Sequence, residues 1–386
     1  MAYDFDQIID RRATESVKWH WYSDEALPLW VADMDFVSPE PVVRALRERA
    51  EHSVYGYPQE PKELPDVIVA WIARHYGWQV QPDWLVFTPG VVVGFNMACH
   101  AATSPGDGVL IQTPVYPPFF EVPKNVKLKL DQMELTRGQD GQYTIDFDAF
   151  ESAITDRTRI FLLCNPHNPV GRVFTREELE HMAEVCQRHN LVICSDEIHC
   201  DLIYSDYRHI PIASLAPEIA EHAITLIAPS KTFNVAGLGC SVAIIPNHEL
   251  RQQYKAAHAG LVPHINLMGY VATLAAYRDG QEWLDELLHY LQASRDFLFD
   301  YVQSQLPGIH MGRPEATYLA WLDCRTTGIP GKPSDFFLQQ ARVALGDGDL
   351  FGKGGEGFVR LCFGCPRSTL AEALDRMKRS LTSLRT

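Results

Sequence analysis

The chain has 386 residues and a formal net charge of −15, with 46% hydrophobic and 22% charged residues. This length and composition are typical of a folded globular protein of two or three domains, and the acidic balance argues against a nucleic-acid partner. No run reaches the about 18 apolar residues of a membrane span, and the first residues lack the basic and apolar segments of a signal peptide. Nine scattered cysteines then predict reduced thiols in the cytoplasm rather than a disulfide scaffold.

The middle of the chain predicts strands and helices in alternation. Short apolar runs that end in turn residues are typical of buried parallel strands. Such runs occupy residues 85–88, 108–114, 159–166, 191–198, 223–230 and 241–246. A small apolar run at 91–102 predicts a helix, and Thr175 three residues before Glu178 resembles a capping box that opens another helix, ending near His189. The alternation predicts an α/β fold with helices on both faces of an open, mostly parallel sheet.

The C-terminal part predicts a smaller α+β domain. Its expected elements are a helix at 282–305, a strand at 318–323, a helix at 334–344, a glycine-rich loop at 346–357, a strand at 358–363 and a helix at 368–384. A shorter stretch of mixed strands and helices is typical of an α+β unit. We therefore expect an N-terminal segment at 1–49 that packs on the small domain, a large domain at 50–285 and a small domain at 286–386.

Polar side chains follow four of the predicted strands. Tyr116, Asn168 and Asp196 stand near the ends of three strands, and Ser230 and Lys231 stand at the end of a fourth. Because ligands bind at the carboxyl ends of the strands in such sheets, we expect these side chains to face one ligand. Taken singly, each has an ordinary explanation: a solvated lysine, a helix-capping aspartate, an asparagine in a turn, or a tyrosine packed against prolines.

The chemistry of these residue types fits one kind of cofactor. A desolvated lysine can form a Schiff base with an aldehyde, and an aspartate keeps a pyridine nitrogen protonated, so that the ring acts as an electron sink. A tyrosine can stack on a flat ring, and an asparagine can donate to a ring oxygen. The Pro89–Gly90 turn before a helix at Val91 supplies free backbone N–H groups for a phosphate. These are the requirements of pyridoxal 5′-phosphate.

The order of these residues resembles that of a known family. The matching segments are 27–36 (LPLWVADMDF), 54–58 (VYGYP), 84–92 (WLVFTPGVV), 113–119 (TPVYPPF), 164–173 (CNPHNPVGRV), 195–204 (SDEIHCDLIY), 228–247 (APSKTFNVAGLGCSVAIIPN) and 357–367 (GFVRLCFGCPR). From about residue 25 onward the chain resembles the fold-type I pyridoxal-phosphate enzymes of the aminotransferase class I/II superfamily. Within them it resembles most the MalY/PatB cystathionine β-lyase (C–S lyase) branch. The resemblance implies an aminotransferase-like fold with a seven-stranded sheet in the large domain.

The resemblance implies a role for each residue of the set. Lys231 matches the catalytic lysine that forms the Schiff base and moves protons to and from the substrate Cα. Asp196 matches the partner of the pyridine nitrogen, Asn168 the donor to the phenolic oxygen, and Tyr116 the aromatic residue that stacks on the ring. Arg360 matches the arginine that binds the substrate α-carboxylate through a bidentate pair, with Asn168 beside the substrate as well.

The resemblance also implies a phosphate-binding group and a second subunit. Gly90, Val91 and Val92 match the start of the helix that binds the cofactor phosphate, and Ser230 adds a hydroxyl. Tyr57 matches the tyrosine that reaches the phosphate held by the neighbouring subunit. The resemblance therefore implies that the active unit is a homodimer.

Two positions depart from the pattern of the aminotransferases. Gly239 stands eight residues after the lysine, where an arginine commonly pairs with the phosphate. His199, which we count among the cofactor-binding residues, stands where a tyrosine usually contacts the phenolic oxygen. The first departure leaves the phosphate charge partly uncompensated, and the second can alter the electronic surroundings of the cofactor. The lyase branch tolerates such changes, so they favour a lyase over a transaminase.

The resemblance implies an enzyme of amino-acid metabolism, methionine biosynthesis included. Its expected reaction cleaves L-cystathionine or another S-substituted cysteine to a thiol, pyruvate and ammonia; which thiol is not specified by the sequence. An aminotransferase is the alternative, and a partner-binding regulatory protein on this fold is a third hypothesis. Cys362 and Cys365 have CxxC spacing, but no second pair or histidine set accompanies them, so we expect no metal site.

Overall fold

The computed structural model of the chain describes residues 3–384 and contains, within that range, two sheets of unequal size and a short hairpin. The strands are β1 Leu27–Leu29, β2 Leu85–Thr88, β3 Gly108–Thr113, β4 Lys129–Glu134, β5 Thr136–Arg137, β6 Tyr143–Thr144, β7 Thr158–Cys164, β8 Val192–Asp196, β9 Ala223–Ile227, β10 Ser241–Ile244, β11 Leu319–Asp323, β12 Val343–Asp347 and β13 Phe358–Cys362. The helices are α1 Val17–His20, α2 Glu40–Glu51, α3 Leu64–Tyr76, α4 Val91–Ala102, α5 Val122–Val126, α6 Phe147–Ser152, α7 Arg176–Arg188, α8 Pro217–Ala220, α9 Pro229–Thr232, α10 His248–His258, α11 Leu267–Asp279, α12 Gln281–Gln305, α13 Pro333–Phe336 and α14 Arg367–Leu384. None of these helices is long and apolar enough to cross a membrane.

The larger sheet has seven strands in the order β2-β10-β9-β8-β7-β3-β4. β10 runs antiparallel to both neighbours, and the remaining pairs are parallel. Alternate residues of β7 face different cores: Ile160 and Leu162 pack in the same core as α4, whereas Phe161 and Leu163 pack in the core that includes α7. Helices therefore cover both faces, which explains why the central strands are apolar throughout. The predicted α/β fold is confirmed.

The predicted strands and helices of the large sheet are present with small shifts at their ends. The capping box at the start of α7 is formed: the Glu178 amide donates to Thr175 Oγ1 at 3.2 Å, and the Thr175 amide donates to the Glu178 carboxylate at 2.8 Å. One shift matters for the site. The strand expected at 223–230 ends at Ile227, so Ser230 and Lys231 lie in the short helix α9 and not on a strand.

The helix expected at 334–344 is too long. The helical segment that begins at Pro333 ends at Ala341 in a π turn, and Arg342 then takes a left-handed φ of 54°. This reversal lets the apolar residues 343–345 enter β12, where they lie buried beside β1. A short apolar run fits a helix as well as a strand, so the pattern alone does not separate the two. The sequence patterns also do not predict β1 or β4.

The smaller sheet has the order β1-β12-β13-β11 and joins the two ends of the chain. β1 pairs parallel with β12, with Leu27 opposite Val343, so part of segment 1–49 lies on the C-terminal sheet. α12 runs without a break across residues 285 and 286. The expected boundary between the large and small domains thus falls inside a helix, and the domain limits stay predictions.

Residues 30–36, called here the strap, form hydrogen bonds both to the part of the chain around the larger sheet and to the part around the smaller sheet. The side-chain amide of Asn234 donates to two strap carbonyls, at 3.1 and 2.7 Å. The backbone amide of Asp35 donates to the carbonyl of Gly364, just after β13, at 2.9 Å. The strap therefore crosses from the large sheet to the small one.

A buried ammonium group fixes the strap. Lys18 Nζ donates to the Asp33 carbonyl and to the Asp35 carboxylate, each at 2.7 Å, and its side chain is fully buried. Arg11 also donates to the Asp35 carboxylate, at 2.8 Å. Burial by itself lowers the pKa of Lys18, but Asp35 outweighs it and the pKa lies above its ordinary value. The lysine is therefore charged and paired, the arrangement that a buried ion needs.

Replacing Lys18 with Met should destabilise the fold by about 3 kcal/mol, because it removes one donor from the buried Asp35 carboxylate and the donor to the part-buried Asp33 carbonyl. Denaturant unfolding of wild type and variant measures this. Lys124→Met is the control, since it breaks an exposed pair with Glu121 and should leave the unfolding free energy nearly unchanged. Equal effects in the two variants would contradict the role given to Lys18.

Candidate active site

A cavity of about 330 Å³ lies where the carboxyl ends of β7, β8 and β9 meet the start of α4. It brings together every residue of the expected site except Tyr57. These lining residues are Gly90, Val91, Val92, Tyr116, Asn168, Asp196, His199, Ser230, Lys231 and Arg360. The roles of these residues stay predictions. The residues that follow strands of the larger sheet gather because the ends of parallel strands share one edge, whereas Arg360 reaches the cavity from β13 of the smaller sheet.

Lys231 has its ammonium group in this cavity. Nζ donates to the carbonyl of Ala32, in the strap, at 2.7 Å. Burial lowers the pKa of Lys231; Arg360 lowers it further, and Asp33 and Asp196 offset part of the effect. A lower pKa enlarges the fraction of neutral amine, which is the form that attacks a carbonyl carbon and accepts a proton.

Asp196 ends β8, and its carboxyl group lines the cavity. One oxygen accepts a hydrogen bond from the Ile198 amide at 3.1 Å. Burial nevertheless raises the pKa of Asp196 to about 7. Tyr116 lines the same cavity, and burial, together with Asp196, raises the pKa of its phenol. A buried carboxyl group beside a neutral aromatic ring suits a flat ligand with a protonated nitrogen, since a cation would favour the ionised carboxylate.

Arg360 lies on β13, buried, with unused donors. Nη1 donates to the side-chain oxygen of Asn168 at 3.1 Å, and Nη2 donates to the Trp30 carbonyl at 3.0 Å. Burial lowers its pKa. Across residues 3–384, no carboxylate forms an ion pair with this guanidinium, and Nε is buried without a hydrogen-bond partner. A desolvated cation with free N–H groups is a site for a ligand carboxylate.

The first turn of α4 offers backbone N–H groups to the cavity. Gly90 caps the helix in an extended conformation, and Val91 and Val92 follow it along the cavity wall. The first N–H groups of a helix have no acceptor within the helix, and the helix dipole favours an anion there. The Ser230 residue lines the same cavity and carries a further donor, so this end of the site fits a phosphate group.

The two positions that depart from the aminotransferase pattern both lie in the cavity wall. Gly239 has a left-handed φ of 57°, and a Cβ there would lie 3.1 Å from the Pro89 carbonyl, so a side chain would be strained. His199 is buried, and burial, with help from the neighbouring cations, lowers its pKa to about 3. The imidazole is therefore neutral and adds no positive charge to the site.

Tyr57 lies outside the cavity. Its side chain is 99% exposed, and its neighbours Val54 and Tyr55 are each 62% exposed. A run of large exposed apolar side chains is typical of a surface that another molecule covers. Its expected contact with a second subunit is not tested by a single chain.

The strap contributes to the site, and the reasoning from strand ends does not find it. Val31 and Ala32 line the cavity, and the Trp30 and Ala32 carbonyls accept hydrogen bonds from Arg360 and Lys231. Every residue has a backbone carbonyl, so residue type does not indicate which carbonyls accept hydrogen bonds from the site. The one signal for the strap is the matching segment at 27–36, which carries no role by itself.

Cys362 and Cys365 are buried free thiols, as are the other seven cysteines. Within the described part of the chain, no group of three or more His, Cys, Asp and Glu side chains is arranged to hold a metal ion. Burial raises the pKa of both Cys362 and Cys365, so the thiol form dominates.

The fold and the cavity are those of an aminotransferase-like protein, and the sequence comparison agrees. Residues 26–377 match the profile of the family described as aminotransferase class I and II, and the chain belongs to that family. This confirms the superfamily expected from the sequence.

Individual relatives are similar along their whole length. The chain is 40% identical to cystathionine beta-lyase PatB of Bacillus subtilis (strain 168), covering 98% of this chain and 100% of the relative. OvoB, whose crystal structure is known, has 44% sequence identity to this chain, and its structure matches with a TM-score of 0.94 over 99% of this chain and 100% of that one. Cystalysin from Treponema denticola, whose structure contains pyridoxal 5′-phosphate, is 34% identical, with a TM-score of 0.95 over 100% of both chains. The aspartate aminotransferase of Pyrococcus horikoshii is more distant, at 24% identity over 93% of this chain and 91% of the relative.

The raised pKa of Asp196 predicts a pH-dependent stability in protein stripped of small-molecule ligands. Between the unfolded value of about 3.8 and the folded value of about 7, the unfolded chain releases the proton and the folded chain keeps it, so this group's contribution to stability falls as pH rises. Asp196→Asn removes this effect. The stability of the variant relative to wild type should therefore grow by about 3 kcal/mol from pH 5 to pH 8.

Denaturant unfolding at both pH values measures the difference. Asp156→Asn, an exposed carboxylate outside the cavity, is the control and should show no such trend. A relative stability of Asp196→Asn that does not change with pH would contradict a protonated Asp196.

Proposed function

We propose that this chain is a pyridoxal 5′-phosphate-dependent carbon–sulfur β-lyase. It cleaves L-cystathionine or another S-substituted cysteine to a thiol, pyruvate and ammonia. The observation that carries the proposal is one cavity that holds a lysine of lowered pKa, a buried carboxyl group and a guanidinium without a carboxylate partner. The similarity along the full chain to a cystathionine β-lyase supports the same reaction.

The residues of the cavity fit the cofactor. Asp196 would face the pyridine nitrogen, Tyr116 would stack on the ring, and Asn168 would donate to the phenolic oxygen. The α4 start and Ser230 would hold the phosphate, and Lys231 would bond to the aldehyde carbon. When bound, the cofactor supplies an electron sink, because its protonated ring accepts the electron pair left at the substrate Cα.

The protein's own groups then bind the substrate and move its protons. Arg360 binds the α-carboxylate with its free N–H groups and so fixes the orientation of the Cα–H bond. Lys231, as a neutral amine, would take the Cα proton. The Cβ–S bond breaks, and the thiolate leaves with the bonding electrons. The released 2-aminoacrylate reacts with water to give pyruvate and ammonia.

An aminotransferase would use the same residues but return the proton to the cofactor. Three observations favour the lyase: a backbone at Gly239 that would strain a side chain, the neutral His199, and the greater similarity to a lyase than to an aspartate aminotransferase. A regulatory protein has no need of a buried Lys231–Asp196–Arg360 set, and the cost of desolvating three ionisable groups speaks against it.

The assembly and setting of the enzyme belong to the same proposal. We place Tyr57 at the active site of a second subunit, which would cover its exposed run of apolar side chains and make the active unit a homodimer. Nine free, buried cysteines suit the reducing cytoplasm. The reaction suits amino-acid metabolism, methionine biosynthesis included.

The first test is whether purified protein loaded with pyridoxal 5′-phosphate releases pyruvate from L-cystathionine when no keto acid is supplied. Wild type should show a visible absorbance band and pyruvate release, and Lys231→Ala should lose both because it removes the amine that bonds the cofactor and takes the proton. Lys124→Ala, an exposed lysine, should match wild type. A band without pyruvate would favour transamination, and no band would overturn the proposal.

The role of Tyr57 predicts complementation between Tyr57→Phe and Lys231→Ala at limiting cofactor. Tyr57→Phe should bind cofactor weakly, and Lys231→Ala should be inactive. If Tyr57 serves the neighbouring subunit, a mixed dimer contains one complete site, with Lys231 from the Tyr57→Phe subunit and Tyr57 from the Lys231→Ala subunit. Mixing and reassociating the two variants should therefore restore pyruvate release at limiting cofactor. Mixing Lys231→Ala with Asp196→Ala is the control, since both residues serve their own subunit, and should restore nothing. Recovery in neither mixture would place Tyr57 outside the active site.

A further inference from the structure

The aromatic ring of Phe351 lies against the guanidinium of Arg360. The central carbon of the guanidinium is 5.0 Å from the ring centroid, and Phe351 is 2% exposed. A cation over an aromatic face is attracted by the ring quadrupole, and the attraction is stronger where water is excluded. Phe351 is not among the residues that line the cavity, so its contact with the site runs through Arg360.

The ring of Phe351 is held in place from both parts of the molecule. On the small sheet it packs against Trp321, with centroids 5.1 Å apart and planes at 64°. From the large sheet, the amide of Val115 donates to the Phe351 carbonyl at 2.9 Å, one residue before Tyr116. Phe351 therefore links the turn that carries Tyr116 to the strand that carries Arg360.

The glycines around Phe351 make this close packing possible. A Cβ on Gly352 would lie 2.4 Å from the Phe120 ring, and Gly352 has a left-handed φ of 82°. A Cβ on Gly348 would lie 2.2 Å from the carbonyl of Gly355. The glycine-rich loop that follows β12, at 348–357, is thus closed on itself and docked on the large sheet, which fixes the Phe351 ring.

We infer that Phe351 is a positioning residue for substrate binding, which holds the Arg360 guanidinium in place for the substrate α-carboxylate. This inference rests on the proposed function of the site. A guanidinium has five N–H donors, and Arg360 uses two of them on Asn168 and Trp30. A carboxylate in place of the ring would consume further donors and compete with the substrate. The face of Phe351 attracts the cation and leaves those donors free.

Steady-state kinetics of the cofactor-loaded enzyme test the inference, with Phe358 as a matched control. Phe358 is 3% exposed and stacks on the same Trp321 at 5.0 Å, but its cations are Arg325, at 4.8 Å, and Arg137, at 5.7 Å. Phe351→Met should raise KM about tenfold while kcat and the visible absorbance band stay near wild type, because the change weakens carboxylate binding and not the chemistry. Phe358→Met should leave KM unchanged. Phe351→Tyr keeps the ring face and should keep the wild-type KM.

Equal KM values for Phe351→Met and wild type, or equal increases in both Met variants, would overturn the inference. If Phe351→Met does not fold, Phe351→Leu takes its place, and a tenfold rise of KM in a folded Phe351→Tyr would also contradict the inference. If wild type releases no pyruvate, the proposed reaction fails on its own. The positioning role is then measured by titrating the visible band of the cofactor-loaded protein with L-alanine, whose dissociation constant should rise in Phe351→Met and not in Phe358→Met.

Discussion

The site depends on keeping three ionisable groups out of water in one cavity. Lys231, Asp196 and Arg360 are buried together, and burial disfavours the charged form of each: the pKa values of Lys231 and Arg360 fall, and the pKa of Asp196 rises to about 7. In water the lysine would be an ammonium ion and of little use as a base. The fold therefore supplies reactivity by desolvation, and the surrounding structure serves to close the cavity and hold these groups at fixed positions.

Closing the cavity explains why a segment near the N-terminus crosses the molecule. The strap sets the Ala32 carbonyl on Lys231 and the Trp30 carbonyl on Arg360, so one short stretch of backbone holds both cations. Neutral acceptors do this without forming an ion pair, which would raise the lysine pKa and occupy the arginine. The strap is in turn held by the fully buried Lys18. The Lys18 ammonium pairs with Asp35, so this anchoring cation does not contact Lys231 or Arg360 directly, whereas Asp33 of the strap raises the pKa of Lys231 and offsets part of the effect of burial.

The sequence predicts features that depend on residue type, and it does not predict features that depend on backbone carbonyls, an unmarked turn or a second copy of the chain. Tyr116, Asn168 and Asp196 were predictable because the ends of parallel strands meet at one edge, and residue type at those ends is visible in the sequence. The strap contacts were not predictable, because they use backbone carbonyls. The pattern extends the expected helix over residues 343–344, the start of β12, because the left-handed turn at Arg342, which separates helix and strand, has no glycine to mark it. Tyr57 cannot be placed by one chain, since its expected partner is another copy.

The charges in the cavity relate Gly239 and His199, the two positions that differ from the aminotransferase pattern, to the proposed reaction. Of the described residues that line it, Lys231 and Arg360 are the cations, because His199 is neutral and the left-handed backbone at Gly239 disfavours any side chain. A further arginine at 239 would add a third cation to the cavity wall and lower the lysine pKa still more. In the proposed function the phosphate is left to the backbone N–H groups of α4 and to Ser230, so the substrate carboxylate would have one cation to bind. Under that proposal, Arg360 and the contacts that hold Arg360 in place would set the orientation of the substrate at Lys231.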